Sequence, residues 1–105
     1  MNEARPAFIS TMIKTELTAI LHALGDPVRL AIVRELAGGE RRACGAFTHL
    51  GVSHSTLSHH FRVLREAGVI ETHAEGSTRL NTLRRQGLDA RYPGLLASVL
   101  ASAEG

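Results

Sequence analysis

Tryptophan is absent from this chain, and its aromatic content stops at three phenylalanines and one tyrosine. Burial must therefore rest on Leu, Ile, Val and Ala, and 105 residues with 44% hydrophobic content supply one domain with a modest core. A chain this small often gains stability by burying a subunit interface, so dimerisation is expected from the start. The single cysteine, Cys44, excludes an intrachain disulfide framework. No window approaches the ~18 apolar residues that span a bilayer. The N-terminus also lacks the basic-then-apolar order of a secretion signal, so a soluble, cytoplasmic protein with no membrane partner is expected. Missing too is any Ser/His/acid, Cys/His or paired-carboxylate arrangement that could converge in a concave site, which argues against an enzyme.

Charge informs only locally. A formal net charge of +2 and a pI near 9.3 are weak evidence for an anionic partner. Residues 54–65, however, contain His54, His59, His60, Arg62 and Arg65 without one Asp or Glu. Such a positive stripe suits nucleic acid, although a solvated helix face has the same composition.

Apolar spacing sets out the elements. Ile9, Met12, Ile13, Leu17, Ile20, Leu21 and Leu24 predict a helix over about 7–24, with a stripe wider than one core contact needs. Asp26-Pro27 restarts a helix with a carboxylate N-cap and a proline at N1; Leu30, Ile32, Val33 and Leu36 give it a buried face. A third helix over about 41–50 is weaker, with Gly45 inside it. Ser53 then caps a helix to about residue 67, on which Leu57, Phe61 and Leu64 share one side and Ser55, His59, Arg62 and Glu66 the other. Two helices joined across Gly51-Val52-Ser53 form a helix-turn-helix over about 43–67. Residues 69–84 read as a β-hairpin turning at Gly76-Ser77. Leu80 and Leu83 differ in parity, which predicts a bulge or an early end in the second strand. A last helix over about 91–103 starts with Pro93 near N1 and spaces Tyr92, Leu95, Leu96, Val99, Leu100 and Ala103 along one face. With no obvious partner for that face in one small domain, Ile9, Ile13, Leu17 and Ile20 at one end and Leu95, Leu96, Val99 and Leu100 at the other are the expected dimer interface.

In this order the elements, and several strings within them, resemble the ArsR/SmtB family of winged helix-turn-helix transcriptional repressors. The strings are Leu24-Gly25-Asp26-Pro27-Val28-Arg29-Leu30, the Ser-Thr-x-Ser-His-His-x-x-x-Leu-Arg-x-Ala-Gly pattern from Ser55 to Gly68, Glu75-Gly76, and Leu88-Asp89-Ala90-Arg91-Tyr92-Pro93-Gly94-Leu95-Leu96. They span roughly three quarters of the chain. The resemblance implies a mainly α fold with a small β-hairpin, dimeric through its terminal helices. It also implies repression at an inverted-repeat DNA operator and release when an inducer binds or a thiol is oxidised. No residue specifies the inducer.

Side-chain chemistry assigns the expected DNA contacts. Ser53, His54, Ser55, Thr56 and Ser58 lie near a helix N-terminus, short enough to let the backbone approach base edges; the helix end itself favours phosphate. His59 projects outward, and Arg62 one turn later suits phosphate. His60 lies nearer the buried side, so a helix-ordering histidine and a DNA contact both remain open. Ser77, Thr78 and Arg79 surround the hairpin tip, where an arginine suits the minor groove or its phosphates, although tip charges are often merely solvated.

The family's arsenic and cadmium sensors are implied to carry Cys-x-Cys, but here Arg42 precedes Cys44 and Gly45 follows. The implied zinc site retains only Asp89, with Arg91, Ser102 and Gly105 at the other positions. No metal and no cofactor are expected. Cys44 is either an oxidisable sensor activated by Arg41 and Arg42 or a small buried apolar residue. The alternative for the whole chain is a winged-helix module that binds a protein partner.

Overall fold

The computed structural model of the protein describes residues 16–104. In chain order these form α1 (Leu17–Leu24), α2 (Pro27–Leu36), a 3-10 helix (Cys44–Leu50), α3 (His54–Glu66), strands β1 (Ile70–Glu75) and β2 (Thr78–Leu83), α4 (Arg85–Arg91) and α5 (Leu95–Glu104). Ile9, Met12 and Ile13, expected at the dimer interface or beside it, lie outside the described residues.

Local chemistry explains most boundaries. Asp26 Oδ2 accepts from the amides of Val28 at 2.9 Å and Arg29 at 3.1 Å, and Pro27 at N1 has no amide to leave orphaned. Burial pushes the Asp26 carboxyl up, but those two amides and the charges of His60 and Arg29 outweigh it and hold the group below its ordinary value. Ile20, Ala23 and Leu24 from α1 meet Ile32, Val33 and Leu36 from α2, and Phe47, Leu57, Phe61 and Leu64 close the core from the other side. Val69, Ile70, Leu88 and Leu96 seal its edge.

The expected third helix is corrected. It starts only at Cys44 and is a 3-10 helix kinked at Phe47. The reason is long-range: Arg42 donates its amide to the Asn81 carbonyl at 3.1 Å and accepts from the Asn81 amide at 2.8 Å, so its backbone forms a one-residue bridge to β2 and cannot join a helix.

The hairpin pairs in unbroken antiparallel register from Ile70 opposite Leu83 to Glu75 opposite Thr78, so no bulge forms. The parity conflict between Leu80 and Leu83 is resolved differently. The buried residue of β2 is the polar Asn81, on the same face as Leu83, while Leu80 stays half-exposed on the other.

The tail is also corrected, because it is two helices. Tyr92 accepts from the Leu95 amide at 3.1 Å across Pro93-Gly94, and Gly94 has φ +85°. Proline followed by a positive-φ glycine is the signature of a type II turn, so Pro93 is a corner and not N1 of a helix. The turn lets Leu88 and Leu96 both reach the core. Helices, helix-turn-helix and hairpin together make a winged helix-turn-helix.

Candidate nucleic-acid interface

Both ends of α3 are held by its own sequence. Ser53 Oγ accepts from the Thr56 amide at 3.2 Å and donates to Thr56 Oγ1 at 2.9 Å, a cap worth about 1 kcal/mol. At the other end the Gly68 amide bonds the Arg65 carbonyl at 3.0 Å and the Val69 amide the Leu64 carbonyl at 2.9 Å. That pair is the Schellman motif, which needs the left-handed φ of +80° that Gly68 adopts. Leu57, Phe61 and Leu64 anchor the inner face, with Phe61 edge-on to Phe47 at a centroid distance of 5.3 Å.

The outer face is fixed by elimination. Ser53, His54, Ser55, Thr56, Ser58, His59 and Arg62 are all exposed. His54, Ser55, Ser58, His59 and Arg62 line one shallow recess with Arg65. Ser53 and Thr56 stand at the N-terminal rim, their hydroxyls engaged with each other.

His60 is corrected. It is 8% exposed, its Nδ1 lies 3.0 Å from Arg29 Nη1, and its Nε2 is 3.9 Å from Asp26 Oδ2. Its ring faces α2, so it orders the helix from inside and is withdrawn from the exposed face. Burial pushes its pKa below the ordinary histidine value, Asp26 opposes, and Arg29 and His59 add to the depression.

At the wing, Ser77, Thr78 and Arg79 are exposed around the turn. Arg79 and Arg65 flank a cleft of about 210 Å³ between α3 and the hairpin, whose other lining residues are Cys44, Ser58, Phe61, Thr72 and Asn81. The cleft carries two guanidinium groups and no carboxylate among these residues. Arg65 was visible in the sequence only as part of the acid-free stripe; the geometry joins it to the wing. Glu75, the acid nearest the tip, is ion-paired with Arg41.

That pairing changes the account of Cys44. Arg41 is engaged with Glu75, and Arg42 with Glu35 at 2.9 Å and Glu40 at 3.2 Å, so neither activates the thiol. Cys44 is partly buried, and burial pushes its pKa up against the opposing charge of Arg65. Two positions before it, Arg42 is a structural arginine whose guanidinium lies 5.9 Å over the Phe47 ring. Asp89 is exposed on α4, 3.9 Å from Arg85 Nε. Among the described residues no three His, Cys, Asp or Glu side chains are grouped to hold a metal.

The dimer candidates divide. Ile20 and Leu96, 1% and 2% exposed, are core residues of their own chain, because α1 and α5 pack on the same core. Leu17 is 42% exposed, as is its neighbour Leu21 at 47%. Leu95, Val99 and Leu100 are partly buried against the core.

Residues 26–72 match the family model described as bacterial regulatory protein, arsR family. The arsenical resistance operon repressor of Staphylococcus xylosus is 38% identical over 70% of this chain and 71% of its own. Among solved structures, HlyU from Vibrio cholerae is 28% identical, covering 71% of this chain and 89% of its own, with a TM-score of 0.59. The Mb0332 DNA-binding domain of Mycobacterium bovis, described as homodimeric, covers 98% and 93% at 21% identity and a TM-score of 0.67, a likeness of fold. No helix among the described residues is long and apolar enough to cross a membrane. With the fold, the capped helix and these likenesses in agreement, the chain belongs to the ArsR family of bacterial regulatory proteins, and is a DNA-binding transcriptional regulator and not an enzyme.

Proposed function

We propose that this chain is a homodimeric repressor that binds an inverted-repeat operator, with one α3 per subunit in successive major grooves about one DNA turn apart. The observation that carries the proposal is the exposed face of α3, where Ser, Thr, His and Arg side chains stand together without a carboxylate before Glu66. Ser55, Thr56, Ser58 and His59 read base edges, Arg62 and Arg65 hold phosphate, and Arg79 brings the wing to the adjoining backbone. Homodimers are supported by the exposed leucines of α1 and by the homodimeric relative of like fold.

Selection of bound sequences from a random DNA pool tests it, with a palindromic consensus as the expected result. On that operator Arg62→Ala and Arg79→Ala weaken binding to all sequences and reduce the salt slope by about one each. Ser55→Ala and Thr56→Ala instead relax sequence preference, costing about 1–3 kcal/mol on the operator alone. Equal losses on operator and random DNA for all four variants would overturn the assignment.

A further inference from the structure

Three polar side chains are buried among the described residues: Arg29, His60 and Asn81. Asn81 belongs to the bridge with Arg42. Arg29 is 8% exposed, and each nitrogen of its guanidinium has a partner. Nε donates to the Ala23 carbonyl at 2.7 Å, Nη2 to the His22 carbonyl at 3.3 Å, and Nη1 meets His60 Nδ1 at 3.0 Å. The two carbonyls belong to the last turn of α1, whose dipole favours a cation; the His22 carbonyl also accepts from the Gly25 amide at 3.1 Å. One side chain of α2 therefore fastens α1 and α3 together.

The chemistry of the third contact is restrictive. A guanidinium donates and cannot accept, so Nδ1 of His60 must present its lone pair, which places the ring's single proton on Nε2, toward Asp26. A second proton would set an N–H on Nδ1 against the N–H of Arg29 and a positive ring against a positive fork.

We propose that Arg29 is the positioning residue that sets α3 against α1 and α2 for its approach to DNA, and that protonation of His60 releases this contact, so that operator binding weakens in acid. The proposal rests on the reading that α3 enters the groove. Among the described residues the charged and titratable groups facing His60 are Asp26 at the N-cap of α2, Arg29 from α2 and His59 from its own helix. From α1 come the carbonyls that hold Arg29, and the His22 side chain, which lines a groove with Val63 and Glu66 further along α3. Only Asp26 favours the charged ring. His54 and His59 on the exposed face act in the opposite sense, since a positive ring beside phosphate strengthens binding. The two effects are separable by mutation.

The experiment measures operator affinity of the full chain by fluorescence anisotropy from about pH 7.5 to about pH 5.5 at fixed ionic strength. The set is the parent, His60→Asn, whose Oδ1 offers an acceptor near the place of Nδ1 without titrating, and Arg29→Lys, which keeps the charge and loses the fork. The parent should lose about threefold to tenfold in affinity relative to His60→Asn across that range. Arg29→Lys should bind more weakly at neutral pH and lose most of the acid-dependent component. A merely structural Arg29 would lower thermal stability and leave the pH profile unchanged, and parallel profiles for parent and His60→Asn would overturn the proposal. Nitrogen NMR of the His60 ring needs neither variant nor DNA. A proton on Nε2 supports the geometry, and a proton on Nδ1 at neutral pH refutes it. Failure to bind any operator would instead count against the operator reading, and the ring measurement would still decide this one.

Discussion

Truncation of Asn81 to alanine tests whether the wing is anchored or merely present. A two-stranded hairpin is marginal alone, and among the described residues β1–β2 is extended only by the one-residue bridge to Arg42. Asn81→Ala leaves the two main-chain bonds of that bridge and removes two side-chain bonds. These run from Nδ2 to the Arg42 carbonyl at 3.0 Å and from Thr72 Oγ1 to Oδ1 at 2.8 Å. The amide orientation follows from chemistry, because a carbonyl can only accept and so must face Nδ2. At about 1 kcal/mol per bond the variant should lose about 2 kcal/mol. For a domain of this size that lowers the melting temperature by about 8–16 °C. Asn81→Asp should cost more, about 3 kcal/mol, since it also aims a carboxylate at the Arg42 carbonyl. Urea denaturation followed by circular dichroism measures both, with an unchanged m-value for the alanine variant. A loss below about 0.5 kcal/mol for Asn81→Ala would refute the reasoning, because water would then replace the amide at no cost.

The exposed leucines of α1 supply a second test: Leu21→Glu should shift the dimer toward monomer in size-exclusion chromatography with light scattering, and a monomeric parent at micromolar concentration would reject the dimer outright. Cys44→Ser should leave operator affinity unchanged with and without peroxide, since burial keeps the thiol protonated; a redox response lost only in this variant would restore the sensor. Asn81→Ala and His60→Asn share no hydrogen-bond partner, so their stability losses should add within about 0.5 kcal/mol, which a double-mutant cycle measures. Acid should also destabilise the fold itself. Because the His60 pKa is depressed in the folded state, its contribution is complete above the ordinary histidine value of 6.5 and is lost as pH falls below it, a trend absent from His60→Asn.

What the sequence made legible was what neighbours in sequence decide. Asp26-Pro27, Ser53, Gly68 and Gly76-Ser77 each act within a few residues, and each appears in the structure doing the work its chemistry suggests. The exposed face of α3 was legible for the same reason, since helical spacing fixes which side chains oppose Leu57, Phe61 and Leu64. Long-range partners left no such trace. Arg42 gives no sign in sequence that its backbone pairs with Asn81, so the sequence predicts a helix from about residue 41 where one begins only at Cys44. α4 carries one buried residue, Leu88, and Gly87 in its middle, which leaves no apolar period to detect. Ile20 and Leu96 show the limit of stripe width, because a wide apolar face does not say whether its partner lies in the same chain or another. Arg29 is the sharpest case: a charged residue becomes core only when carbonyls of another helix wait for it.

The surface proposed to face DNA consists of two pieces, α3 and the wing, and each is held to the core by a buried polar residue. α3 is set by Arg29 through His60, and the wing by Asn81 through Arg42. Apolar packing alone would fix neither orientation tightly, since the hydrophobic effect is non-directional and roughly proportional to buried area. A guanidinium fork or a carboxamide with every group engaged has a single satisfied geometry, and leaving it costs about 1–3 kcal/mol per group left unpaired. That cost gives the helix and the wing definite places relative to the core. Arg42 also explains why this chain departs from the pattern of the arsenic and cadmium sensors it resembles. Where that resemblance implies a thiolate, the side chain here bridges Glu35 of α2 to the Phe47 ring, and the backbone carries the wing. A residue that holds three elements together is poorly suited to exchange its partners for a ligand.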